Sequence, residues 1–222
     1  APEDLDVLQR RGDTHLVVAS SGASSLSTLA IAPDGTPVLA DHILDSDVSA
    51  FGGARAVATQ QNGDVVYVAA GGDEGGISLL TMLPGGRLVH LDTVADDNVL
   101  SLERITSVEM SISGSALQIF ASSSLVNDVT RLTFDTTTQG SVFIADNLGN
   151  GAGGMALDDQ VIGSDVAELL SGGAGRDILL DGAGMDTLTG GLGEDLFVFS
   201  PEGTLAVVAD FQRGVARLDL SA

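Results

Sequence analysis

Near its C-terminal end the chain repeats itself every nine residues. Written from Gly163 it reads GSDVAELLS, GGAGRDILL, DGAGMDTLT and GGLGEDLFV. The last three units share glycines at positions two and four, an aspartate at position six and an apolar residue at position eight. A linker rich in Gly and Asp has the same composition, but no reason to place Leu170, Leu179, Leu188 and Phe197 at a strict ninefold spacing. Nine residues hold one turn and one short strand, and an apolar position on one face every nine residues stacks into a narrow core. The period therefore points to a small parallel β-roll.

The turn carries the chemistry. Glycines at positions one, two and four tolerate positive φ and let backbone carbonyls approach closely, while the aspartate at position six points inward, so the turn is a half-cage of oxygens. Calcium takes about six to eight oxygens, and one such turn supplies roughly half that number. Two turns must share each ion.

With the pattern GGxGxDxUx, these units resemble the nonapeptide repeats of the RTX family of secreted bacterial proteins, closely over residues 163–198 and more loosely through to Ala222. The resemblance implies that turns two repeats apart on one edge share an ion, pairing Asp177 with Asp195 and Glu168 with Asp186. It implies metal-binding roles for Gly172, Gly173, Gly175 and Asp177 in the second repeat. In the third it implies them for Asp181, Gly182, Gly184 and Asp186, and in the fourth for Gly190, Gly191, Gly193 and Asp195. Glu168 belongs to a first repeat in which Val166 replaces the fourth-position glycine and the carboxylate is one methylene too long, so a weak or empty site is expected there. Asp181, at position one, reads equally as a ligand or as surface charge. Arg176, Met185 and Glu194 occupy the variable fifth position and are expected to face solvent. The tail FSPEGTLAVVADFQRGVARLDLSA is similar to the segment that caps RTX rolls, matching at Asp210, Phe211, Gly214, Asp219 and Leu220. Ala206 and Ala216 stand where that flank usually carries acids, and Asp210 and Asp219 read as caps rather than ligands.

A longer period occupies the preceding part. Aligning LVVASSGASSLSTLAIAPDGTPVLAD, VYVAAGGDEGGISLLTMLPGGRLVHLD and QIFASSSLVNDVTRLTFDTTTQGSVFIAD brings Ala19, Ala69 and Ala121 into register. Each unit reads as strand, turn, strand, tight turn and strand, with preceding strands at ARAVATQQNGD and ITSVEMSISGS. Four short antiparallel strands repeated about every 40–50 residues are the pattern of propeller blades. These segments resemble the blades of lactonase-like or YVTN-type propellers, and three blades leave open sheet edges for something to cover. A three-unit prism or sandwich, or closure by another copy, fits the same strands. The expected organisation is a propeller-like all-β domain over 1–147, a Gly/Asp-rich linker over 148–162, the β-roll over 163–198 and its cap over 199–222.

Composition excludes several functions. There are 31 acidic side chains against nine basic ones, for a formal charge of -22, so nucleic acid is repelled. The chain has no cysteine, which removes disulfides and thiol chemistry. No apolar run reaches the roughly 18 residues of a membrane span, and the start APEDLDVLQRRGD has neither a basic leader nor an apolar core, so that for an exported protein the signal is expected elsewhere or already removed. HExxH and GxSxG are absent, and His15, His42 and His90 read as isolated, hydrogen-bonded surface residues. Gly149, Gly151 and Gly154 satisfy GxGxxG without a following helix, and Arg11-Gly12-Asp13 spells RGD near a terminus. Asp96/Asp97 and Asp158/Asp159 read as solvated loop charge.

The leading expectation is a calcium-binding, non-enzymatic protein, extracellular by type I export or held at the cell surface, whose roll folds when it meets calcium. The preceding β domain then serves binding to a protein or glycan, or self-association through open β edges. The rivals are a lactonase-like propeller enzyme and a calcium-stabilised component of a surface layer, appendage or particle.

Overall fold

The computed structural model describes residues 1–97, 100–126, 128–201 and 205–220. Among these, the one helical element is a single 3-10 turn at Ser21–Ala23; the rest of the regular structure is β. The chain divides into two compact units, Ala1–Thr136 and Thr137–Ala222.

The first unit contains three antiparallel sheets with strands in chain order. The first sheet holds β1 (Pro2–Arg10), β2 (Asp13–Ser20), β3 (Ser25–Ile31) and β4 (Pro37–Leu44). The second holds β5 (Ala56–Asn62), β6 (Val65–Gly71), β7 (Gly76–Met82) and β8 (Leu88–Ala95). The third holds β9 (Ile105–Ser113), β10 (Ala116–Ser123) and β11 (Val129–Asp135). On β2 burial alternates strictly, with His15, Val17 and Ala19 inside. Strands β6 and β7 are buried at every residue, because both faces of the middle sheet are covered, and their sequences VVYVAAG and GISLLTM accordingly lack alternation. Val17, Ala19 and Leu26 of the first sheet form one apolar cluster with Val66, Val68, Leu80 and Met82 of the second.

Acidic side chains of the first sheet satisfy edge donors of the second. Asp4 Oδ2 accepts the Val57 N–H at 3.0 Å, and Asp6 Oδ2 accepts the Thr59 N–H and hydroxyl at 2.7 Å each. On the opposite edge Asp41 Oδ2 accepts the Leu88 N–H at 2.7 Å. Edge strands β5 and β8 are thereby partly closed without another strand. Strand β1 is an addition to the elements read from sequence. The RGD tripeptide is its hairpin corner, with Arg11 and Gly12 at φ 53° and 95°, the positive pair that a tight two-residue hairpin turn requires. His15 is a correction: it is buried on the inner face. His42 and His90 do pair with hydroxyls, those of Ser27 and Thr93.

The second unit is a parallel β-solenoid. Strands β12 (Gln139–Ile144), β14 (Asp158–Ile162), β16 (Ile178–Leu180), β18 (Leu196–Val198) and β20 (Arg217–Asp219) form one sheet. Strands β13 (Ala152–Gly153), β15 (Leu169–Ala174), β17 (Thr187–Leu192) and β19 (Val207–Val208) form the other. Leu170 lies opposite Leu188, and Leu179 opposite Phe197, so two nonapeptides make one coil. Val161, Leu170, Leu179, Leu188 and Phe197 fill the core, with Phe143, Ala152 and Ala206 packed against them.

Two boundaries read from sequence differ from this. The segment GSVFIAD, expected as the last strand of the third antiparallel unit, is mostly β12, and it pairs parallel with β14 instead. Joining the roll sets Phe143 opposite Val161 and against the roll core, which leaves the third sheet with three strands. Residues 148–162 are likewise no linker: β13 and β14 are full members of the ladders. The cap assigned to 199–222 contributes β19 and β20; its residues 202–204, 221 and 222 lie outside the described residues.

Candidate metal centre

Stacking two-repeat coils brings every second turn into one column. On one edge of the roll Asp159, Asp177 and Asp195 follow each other. The Asp159 N–H donates to Asp177 Oδ1 at 2.9 Å, and the Asp177 N–H donates to Asp195 Oδ1 at 3.2 Å. On the other edge the Glu168 N–H donates to Asp186 Oδ1 at 2.8 Å. Asp177 therefore does meet Asp195, and Glu168 does meet Asp186.

The glycines explain how the turns fit. A Cβ on Gly172 or Gly190 would collide with the carboxylate of its own turn, that of Asp177 or Asp195. A Cβ on Gly173, Gly182 or Gly191 would collide with the carbonyl oxygen of Met155, Ser164 or Gly173, one coil earlier. Gly175, Gly184 and Gly193 face the carbonyls of Leu157, Val166 and Gly175 in the same way. Position one thus admits a carboxylate, and positions two and four admit backbone oxygens.

All five acids are buried: Glu168, Asp177, Asp181, Asp186 and Asp195. Asp177 Oδ2 and Asp186 Oδ2 are fully buried and have no hydrogen-bond partner, an arrangement that is costly for a carboxylate unless a cation or a proton supplies the missing interaction. Burial, reinforced by the charges of Asp195 and Asp159, pushes Asp177 up to about 6. Burial also raises Asp186, with Glu168 and Asp181 adding to the effect, and raises Asp195.

Glu168 behaves differently. Its longer side chain folds back so that one oxygen accepts the Ser164 N–H at 2.7 Å and the other accepts the Ser164 hydroxyl. Asp181 is 1% exposed and accepts the Ser200 N–H at 2.7 Å, which removes the surface-charge reading. Asp210 is a cap: it accepts the N–H groups of Gly190 and Gly191 at 2.9 and 2.8 Å. Arg176, Met185 and Glu194 are exposed.

Asp159 is the residue that sequence reading missed. It is 2% exposed, not solvated loop charge, and accepts the N–H groups of Ser141 and Met155 at 2.7 Å each. Continuing the ninefold frame upstream places Asp159 at position six and Val161 at position eight, a signal masked by Met155 and Leu157 standing where the later repeats carry glycine.

Among the described residues no three carboxylate or imidazole side chains converge on a common point. A cation held here would take most of its ligands from turn carbonyls. The two orphaned buried oxygens and the glycine-lined carbonyl cradles fit a hard, oxygen-seeking ion such as calcium. No known protein family matches the chain, and no curated protein matches it. No described helix is long and apolar enough to cross a membrane.

Proposed function

We propose that this is a calcium-binding protein of RTX type whose roll folds when calcium enters two sites, the better formed across Asp177 and Asp195 and the second at Asp186. The observation that carries this reading is the pair of buried, unpartnered oxygens, Asp177 Oδ2 and Asp186 Oδ2. Asp177, Asp195 and the carbonyls of turns 172–177 and 190–195 would hold one ion. Asp186 and the carbonyls of turns 163–168 and 181–186 would hold the other, with Glu168 a poor contributor because its oxygens already close its own turn. The ion supplies charge neutralisation, and its binding free energy becomes folding free energy. A chain of net charge -22 repels itself until the ions arrive, which suits export to a calcium-rich exterior or display at the cell surface.

The antiparallel unit is proposed as a propeller-like assembly module rather than an enzyme. One observation favours assembly: Val7, Leu16, Leu29 and Leu39 lie opposite one another across β1 to β4, on the face away from Val17 and Ala19. Val7 is 52% and Leu39 62% exposed, and a continuous apolar row of this kind marks an interaction surface.

Far-UV circular dichroism and melting of the whole chain in millimolar calcium and in chelator test the calcium reading. Gain of β signal and a higher melting midpoint with calcium support it; identical spectra and melts defeat it.

A further inference from the structure

The acidic turns of the roll fall into two classes. At Asp159 and Glu168 the carboxylate accepts an N–H from position two of its own nonapeptide, Met155 and Ser164 respectively. At Asp177 and Asp186 it does not, and Oδ2 is left without a partner. The difference tracks the residue at position two. Met155 and Ser164 are L residues at ordinary negative φ, whereas Gly173 and Gly182 adopt φ 109° and 83°. Gly191, at φ 102°, turns its N–H to Asp210 instead of Asp195. A side chain at position two therefore goes with an N–H aimed into the turn, and a left-handed glycine with an N–H aimed elsewhere.

We infer that the first two acidic turns, closed by their own backbone at Asp159 and Glu168, form a cation-independent foot on which the cation-requiring turns at Asp177 and Asp186 stack. Asp159 is the positioning residue of this foot. Its two oxygens tie Ser141 of β12 and Met155 of the next turn together, while its own N–H donates to Asp177. The foot thus presents a preformed half of the next coil, and the orphaned carboxylate oxygens, those of Asp177 and Asp186, lie above it. The direction of ordering follows: from β12 and β14 upward, with calcium needed from the Asp177 level on. This inference rests on the calcium reading for the upper turns alone; the foot requires no metal.

Hydrogen exchange followed by mass spectrometry on the whole chain tests it, in chelator and in calcium, at pH 7. In chelator the amides of 139–162 are expected to exchange at least about tenfold more slowly than those of 172–195. Asp159→Asn keeps an acceptor for Ser141 but opposes an amide donor to the Met155 N–H, and removes that protection. Asp177→Asn leaves it in place. Met155→Gly, at a side chain 70% exposed, converts the closed turn to the open class, so that protection of 139–162 becomes calcium-dependent. Equal exchange of the two segments in wild type without calcium, or protection indifferent to both Asp159→Asn and Met155→Gly, overturns the foot. Failure of calcium to slow exchange at 172–195 instead overturns the calcium reading and leaves the foot standing on its own result.

Discussion

Replacing Asp177 by asparagine should move stability in opposite directions with and without calcium. In the folded, metal-free roll Asp177 titrates at about 6 against an ordinary value of 3.8. Its proton is therefore held more tightly in the folded state than in the unfolded one. Metal-free stability is fully present below about pH 4 and is lost as pH rises through about 6; at pH 7 the ionised group costs about 2–3 kcal/mol, at about 1.4 kcal/mol per pKa unit. Asparagine removes the charge and keeps an oxygen for the Asp159 N–H, now at 2.9 Å. In chelator at pH 7 the variant roll should gain about 2–3 kcal/mol, a shift on the order of 10 °C for a unit of this size. If the metal-free wild-type roll is already unfolded at that pH, the same gain appears as recovered β ellipticity. In millimolar calcium the order reverses, because the variant has lost an anionic ligand. Urea melts followed by circular dichroism in both buffers read the two signs. A variant less stable than wild type in chelator would refute the argument, as would one that calcium stabilises as much as it does wild type.

The other expectations concern pH, backbone, core and independence of the two units. In chelator the roll should become more stable from pH 7 to pH 5, as Asp177, pushed up to about 6, takes up its proton, with Asp186 and Asp195, also raised by burial, acting in the same direction as pH falls; saturating calcium should abolish or invert that slope. Burial lowers His15 from 6.5, so the antiparallel unit should instead lose stability as pH falls below 6.5, readable by exchange of β2 amides. Gly175→Ala places a Cβ 2.5 Å from the Leu157 carbonyl oxygen at φ 143°, and should weaken the roll by at least about 1–3 kcal/mol of backbone strain, measured by urea titration in calcium. Leu188→Ala, fully buried in the roll core, should cost about 2–5 kcal/mol in the calcium-dependent melt, and Leu80→Ala a similar amount in a transition that calcium does not move.

The roll was legible because its signals are local. A turn that must admit a neighbouring carbonyl needs glycine wherever it recurs, so Gly173, Gly182 and Gly191 announce themselves by spacing, as do the stacked residues from Leu170 to Phe197. Asp159 escaped because its turn closes on itself through the Met155 N–H and so does without the glycines that made the later turns recognisable.

What sequence alone determined is the period: nine residues per turn and strand, about fifty per antiparallel unit, and with them the all-β character and the positions of the inward acids. Tertiary structure decided which partner each strand took. β12 alternates as an outer strand of the third sheet would, yet it pairs parallel with β14, since a strand's own pattern specifies which side chains share a face and not which neighbour supplies the hydrogen bonds. It also decided which carboxylates are satisfied. Asp159 and Asp177 occupy the same place in the repeat, and only the direction of one backbone N–H, at Met155 or at Gly173, leaves the first closed and the second open to a cation.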